Sequence, residues 1–364
     1  MPRSIPAREL LARLITGGDV DLSDVTGTRI LPLLERARAE GVLALAAWNL
    51  PDRADVAPAL RAQLSESALG LAAASLMRES ACRKVLAVLP DDLPVLVLKG
   101  TALAQWLYPE SYLRESSDID LYFASRQDAQ RAAALLAPLG YATPFQPGRF
   151  AHEFLCRRHS PHGPVDLDMH WALTASPLFQ RLPLFAQWHA DSQPLPGLGD
   201  RARGLGPVHA FLHASLHRAS NLSVGLGDRL KWLYDLHLLA RRFDGVDWSE
   251  LQRLCIEYGL CGVCAQAILA TRAELGTSFP AETLGALQAG ADNEALDASR
   301  LGDWRYIQRQ NFLALPGRRA RVQWLLDYAF PSADYLRELY GVDVSRPRLW
   351  WLRAKRAFGR LARR

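Results

Sequence analysis

The run Asp118-Ile119-Asp120-Leu121 constrains this chain more than any other four residues. In a β-strand successive side chains point to opposite faces, so the two acids leave one side while Ile119 and Leu121 leave the other. Two carboxylates one pleat apart repel each other, and a purely structural strand gains nothing by holding them together. A divalent cation removes that repulsion. Further on, Val165-Asp166-Leu167-Asp168-Met169-His170-Trp171 repeats the alternation and puts Asp166, Asp168 and His170 on one face. Laid beside the first strand, it closes an oxygen-rich site of the kind that Mg²⁺ prefers, a hard cation satisfied by a few carboxylates, waters and phosphates. Two such ions held together can activate an attacking hydroxyl and stabilise a leaving pyrophosphate.

The surrounding pattern places both segments in a small sheet. Residues 7–89 are rich in Ala, Leu and Arg at helical spacing, and Pro32 suits the first turn of a helix. Pro90-Asp-Asp-Leu-Pro94 then ends the helices, because prolines so close together cannot continue one. From there the sequence predicts a strand at Val95–Leu98, a helix at Thr101–Tyr108, a strand at Ile119–Phe123 and a helix at Gln127–Leu139. Extended segments follow at about Tyr141–Pro144, Phe150–Arg157 and Val165–His170, the last two joined by the turn signal Ser160-Pro161-His-Gly163-Pro164. After Trp171 the pattern reads as helical to the end, with candidates from Leu184–Ala190 onward.

The expectation is an α+β fold, a small mixed sheet with helices on one side, divided into four parts. Residues 1–89 form an N-terminal helical region, 90–175 the catalytic domain, 176–345 a C-terminal helical domain and 346–364 a basic amphipathic tail. At 364 residues the chain can bury a sizeable core. No apolar run is long enough to cross a bilayer, and five cysteines do not read as a disulfide framework, so the expected compartment is the cytoplasm. The tail carries eight basic residues and no acid, leaving a net acidic body that argues against a nucleic-acid partner. That tail also suits a peripheral membrane surface or an acidic partner, or else a last helix packing its tryptophans on the body.

At the motifs quoted, the sequence resembles the DNA polymerase β-like nucleotidyltransferases, and within them an uncharacterised bacterial nucleotidyltransferase branch. The matching pieces are the apolar strand ending in Lys99-Gly100, Arg114 four residues before Asp118-Ile119-Asp120-Leu121, and Asp168-Met169-His170-Trp171. Leu212-His213-Ala-Ser-Leu-His217, Arg229-Leu-Lys-Trp232-Leu-Tyr-Asp235 and Phe330-Pro331-Ser-Ala-Asp-Tyr335-Leu-Arg337 carry the likeness further along the chain. The resemblance implies transfer of a nucleoside monophosphate from an NTP to a hydroxyl acceptor, with two Mg²⁺ ions and ATP as the default nucleotide. It implies that Asp118 and Asp120 bridge the metals. Asp168, singled out over Asp166 by the Asp-x-His-Trp pattern, ligates the catalytic ion and helps remove the acceptor's proton. The alternative is an inactive nucleotide-binding module with a regulatory or assembly role.

Around these acids, Gly100 suits close approach of backbone to phosphate, with the N–H groups at Thr101 open to an anion. Lys99 reads as a phosphate contact or as a solvated edge residue, and Arg114 as a triphosphate ligand or a partner of Glu115 or Glu110. His170 reads as a group that orients a carboxylate, meets phosphate or acceptor, or sits buried. His209, His213 and His217 recur every four residues, but without a His-Glu-x-x-His pattern they read as packing groups, with Asp235 as a hydrogen-bond partner. Cys255, Cys261 and Cys264 read as buried helical thiols. There is no nucleophile elbow, Walker loop or dinucleotide fingerprint, which argues against hydrolase, P-loop and dehydrogenase chemistry.

Overall fold

A computed structural model describes residues 5–52, 56–144, 147–180, 182, 185–330, 333, 336–337 and 346–361. Four helices open the chain: α1 (Ala7–Ile15), α2 (Ile30–Glu40), α3 (Leu43–Trp48) and the long α4 (Pro58–Val88). Pro58 sits in the first turn of α4, where its missing N–H leaves no hydrogen bond unmade. Pro94 then hands the chain to β1 (Val95–Val97), followed by α5 (Lys99–Trp106), β2 (Ile119–Phe123) and α6 (Arg126–Leu136). The Ser125 hydroxyl caps α6 by accepting from the Asp128 N–H.

Next come β3 (Glu153–Ser160) and β4 (Gly163–His170), an antiparallel hairpin in which Ser160 pairs with Gly163. Gly163 takes a φ of +107° at this turn, a backbone open to glycine and strained for other residues. The chain then forms α7 (Phe185–Ala190), β5 (Gln193–Pro194) and β6 (Arg203–Gly204), and continues as helices. These are α8 (Pro207–Leu222), α9 (Leu230–Arg242), α10 (Gly245–Tyr258), α11 (Cys261–Leu275), α12 (Ala281–Ala291), α13 (Trp304–Ala314), α14 (Gly317–Ala329) and α15 (Arg346–Leu361).

The sheet is mixed, in the order β3-β4-β2-β1-β6-β5, so the protein is α+β as expected. Its outermost pair corrects the reading of everything after Trp171 as helical. β5 and β6 have two residues each, too short for any alternation to show. The segment Tyr141–Pro144 contributes only a bridge from Ala142 to Arg157 rather than a strand. Helices cover both faces of the sheet, not one. Ile119, Leu121 and Phe123 lie in a core shared with α6 and the end of α4, whereas Leu96, Leu98 and Tyr122 join a second core.

That second core also holds side chains of α1 to α4 and of α8 to α13, so the N-terminal helices share one interior with the C-terminal ones. Cys255, Cys261 and Cys264 are buried free thiols on α10 and α11. On α15, Leu352 is buried while Trp350 and Trp351 are exposed, with Lys355 over the Trp351 ring. Among the described residues no helix is long and apolar enough to cross a membrane. Leu184 and half of the 330–337 motif lie outside the described residues.

Candidate active site

β2 runs antiparallel to β1 and parallel to β4, in a register that sets Asp120 directly opposite Asp168. The apolar faces fix that register: Ile119, Leu121, Leu167 and Met169 are fully buried, each worth roughly 1.5–3 kcal/mol against exposure. A slip of one residue would exchange acids for apolar groups, so core packing and the position of the carboxylates are one constraint. Asp120, Asp168 and His170 present ligand atoms that all lie within 4.8 Å of one another. Asp118 stands one residue before β2, half-buried, and accepts from Ser117 Oγ at 3.2 Å and Ser116 Oγ at 3.3 Å. It is outside the two clusters of potential metal ligands among the described residues.

Lys99 opens α5 with a φ of +49°, an unusual conformation for a residue with a Cβ. Its ammonium donates to Asp120 Oδ1 at 2.5 Å. His170 Nε2 lies 2.8 Å from the same oxygen. On the far side of the ring, Glu153 Oε2 is 2.9 Å from Nδ1, an ion-pair contact that does not align as a hydrogen bond. His170 therefore orients Asp120, one of the roles its sequence position allows. Glu153 was not anticipated. The signal was present in the hairpin, because counting back from the turn at Ser160 and Gly163 puts Glu153 opposite His170.

The charges distribute unequally over this cluster. Asp120 is fully buried, which disfavours its charge, but Lys99 and His170 more than compensate and hold its carboxyl well below the usual range. At Asp168 the nearby His170 does not outweigh the opposing effects. Burial, then Glu153 and Asp120, push it up to about 7. Burial followed by Asp120 also raises Asp118. Burial and the Lys99 charge oppose protonation of His170, yet Glu153 and the bond to Asp120 raise it to about 9. Asp168 is thus a carboxylate whose charge the protein compensates only in part, and with Asp120 beside it the donor set fits a hard cation. Asp166, by contrast, is held by Arg157 through two bonds of 2.7 and 2.8 Å.

Arg114 is buried and forms a bidentate pair with Asp235 on α9, at 2.7 and 2.8 Å. Tyr108 Oη donates to the same carboxylate at 2.7 Å. Asp235 therefore serves Arg114, and not the histidine stripe to which the sequence assigned it. Neither the Glu110 nor the Glu115 carboxylate pairs with Arg114: its Nη1 donates to the Glu115 backbone carbonyl at 2.6 Å, and the Glu115 carboxylate accepts from the Ala44 N–H at 3.0 Å. A Cβ on Gly100 would come within 3.0 Å of Arg114 Nη1 and 3.3 Å of Ser116 Cβ. Gly100 thus makes room for Arg114, while the Thr101 hydroxyl donates to the Asp118 carbonyl at 3.3 Å.

Two cavities meet at these acids. The first, about 290 Å³, is bordered by Asp118, Asp120, Lys99, Arg114, Arg229 and Lys231. Burial and then Arg114 lower Lys231 to about 8, and its stem crosses Gly41, where a Cβ would collide with it. His213 also borders this cavity; its Nε2 is buried without a hydrogen-bond partner among the described residues, and burial pushes its pKa down to about 3. The second cavity, about 450 Å³, opens beside Asp168 and Glu153 and is backed by α13. Lys99, His217 and Asn221 border both. His209 and His213 pack on Trp188, and His217 meets Trp232 edge-on at 4.5 Å, so the stripe packs as its spacing predicted.

A mixed sheet wrapped in helices, with facing aspartates and a lysine at a strand-to-helix junction, defines an α+β protein with an acid-lined site suited to a hard cation. The family model described as "Uncharacterised nucleotidyltransferase" matches residues 27–276. The chain belongs to that family. The match runs from just before α2 to the end of α11 and so contains the whole sheet, the acid cluster and both α8 and α9. Comparison with curated proteins and with solved structures finds no match.

Proposed function

We propose that the protein is a Mg²⁺-dependent nucleotidyltransferase of the DNA polymerase β-like kind, moving a nucleoside monophosphate from an NTP, ATP in the first instance, to a hydroxyl acceptor. The observation that carries this reading is Asp120 and Asp168 facing each other in register between two cavities of different chemistry. Asp120 and Asp168 would hold the metal, with Asp118 completing the set on the side of the first cavity. Bound there, Mg²⁺ would supply charge neutralisation for the phosphates and a lowered pKa for the attacking hydroxyl.

The chain's own groups account for the remainder. Lys231 and Arg229 bind the triphosphate, and Lys99 leaves Asp120 to join them. Arg114, locked by Asp235, presents its Nη1 edge behind Gly100 as a fixed positive wall. Asp168 takes the proton of the acceptor hydroxyl as its oxygen bonds to the α-phosphorus. The α–β phosphoanhydride bond breaks, and pyrophosphate leaves with the electron pair. A partly compensated carboxylate with a pKa of about 7 suits proton acceptance near neutral pH.

Incubation of the purified chain with α-³²P-labelled NTPs, Mg²⁺ and a metabolite extract should label an acceptor. Asp120→Ala should reduce that labelling about 10³-fold, the scale seen when a preorganised charge is lost from a reaction centre. Labelling that survives Asp120→Ala undiminished would sink the reading. One observation favours a second reading, a nucleotide-binding module without turnover: the Lys99 ammonium already takes the place of a cation on Asp120. Calorimetric binding of ATP with no turnover and no Mg²⁺ dependence would select it.

A further inference from the structure

The two cavities differ in which charges are free to meet a ligand. Four cationic side chains border the first. In the second, Lys99 is the sole lysine or arginine among the described lining residues, and its ammonium is engaged by Asp120. Glu153 is held by His170 and His152, so an anionic ligand would meet Asp168 with no free lysine or arginine to offset it, which is unfavourable at close range.

What the second cavity does offer is neutral. On α13, Trp304, Gln308 and Asn311 fall at positions i, i+4 and i+7, so they form one stripe, and all three line the cavity. Asn311 is fixed in place: its Oδ1 accepts from the Ser176 hydroxyl and from the Leu178 N–H at 3.4 Å. Its Nδ2 donates to no described residue, and neither end of the Gln308 amide has a partner among them. Across the cavity the Thr174 and Ser220 hydroxyls hold each other at 2.9 Å. Trp304 is half-buried, and its ring joins no aromatic pair among the described residues. Its flat apolar face and the two amides line the same cavity as the Asp168 carboxylate.

We propose that this cavity binds an uncharged polyhydroxylated acceptor, a sugar or polyol without phosphate or carboxylate. The Trp304 face takes its C–H surface, the Gln308 and Asn311 amides read its hydroxyls, and one hydroxyl is left toward Asp168. A cavity of about 450 Å³ lies within the range of small-molecule sites. The assignment as acceptor rests on the nucleotidyl-transfer reading; the binding itself does not. α13 lies beyond the residues that the family model matches, so acceptor choice would be a property of this segment of the chain.

The test is saturation-transfer NMR on the full chain, without nucleotide, using glucose, mannose, N-acetylglucosamine and myo-inositol, with glucose 6-phosphate and mannose 6-phosphate as anionic counterparts. At least one neutral probe should bind saturably, and its phosphate at least about tenfold more weakly. Gln308→Ala and Trp304→Ala, both at half-buried positions, should each weaken the neutral probe about tenfold and leave Mg²⁺·ATP binding unchanged. The proposal is overturned if no neutral probe binds while Mg²⁺·ATP does, if the phosphates bind as well as the neutral sugars, or if Gln308→Ala changes nothing. Sugar binding that obeys the α13 variants in a protein unable to bind Mg²⁺·ATP would uphold this inference and remove the nucleotidyl-transfer reading.

Discussion

The two cavities share Lys99, His217 and Asn221 yet are built by opposite means. The first is walled by charges that the fold holds rigid: Arg114 is pinned by Asp235, and Lys231 crosses Gly41 of the N-terminal layer. The second is walled largely by neutral amides, hydroxyls and a tryptophan, with Asp168 and Glu153 in its lining. On the readings proposed above, the positive groups would meet a ligand part common to all NTPs, whereas the neutral groups would select among acceptors by shape and hydroxyl pattern. The contrast teaches that helices from different parts of the chain give two cavities at one acid cluster different linings.

The contrast breaks most visibly at Asp235. Replacing it by Ala leaves Arg114 buried and unpaired, so the stability of the whole chain should fall by about 3–5 kcal/mol. Denaturant unfolding reads this directly; a loss below about 1 kcal/mol would mean that the pair is not a structural wall of the first cavity.

Asp168 tests the second cavity by pH. Its folded pKa of about 7 exceeds its ordinary value of 3.8, so the folded state binds the proton more tightly. The stability this contributes is complete below 3.8 and is lost as pH rises through about 7. Asp168→Asn does not ionise, so in EDTA it should match the parent near pH 4 and exceed it by about 1–2 kcal/mol at pH 8. Thermal melts across that range decide the matter, and Mg²⁺ should remove the variant's advantage. A variant less stable at pH 8 than the parent would show that the acid is already compensated.

The smallest effect sharpens the division of labour. Lys231→Met should raise KM for the NTP about tenfold with kcat nearly unchanged, since it removes a contact made equally to ground and transition states. Steady-state kinetics with acceptor varied separately would detect an equal rise in acceptor KM, which would merge the two cavities into one.

Much of the sheet was legible because its signals are local. The Asp118–Leu121 alternation, the Pro90–Pro94 break and the Ser160–Gly163 turn each act within a few residues, and β1, β2, β3 and β4 follow from them. β5 and β6 were not legible, since two-residue strands take their pairing from neighbours already in place. Glu153 could have been found by counting from the hairpin turn. The Arg114–Asp235 pair joins residues 121 positions apart and had no local sign.

By itself the sequence determined that acids would emerge from one face of a buried sheet, because alternation couples each carboxylate to an apolar neighbour that must be inside. Only the tertiary structure decided what those acids face. The partition into two cavities depends on α8, α9 and α13 arriving from distant parts of the chain, and such contacts are set by packing of whole surfaces, which no short stretch encodes.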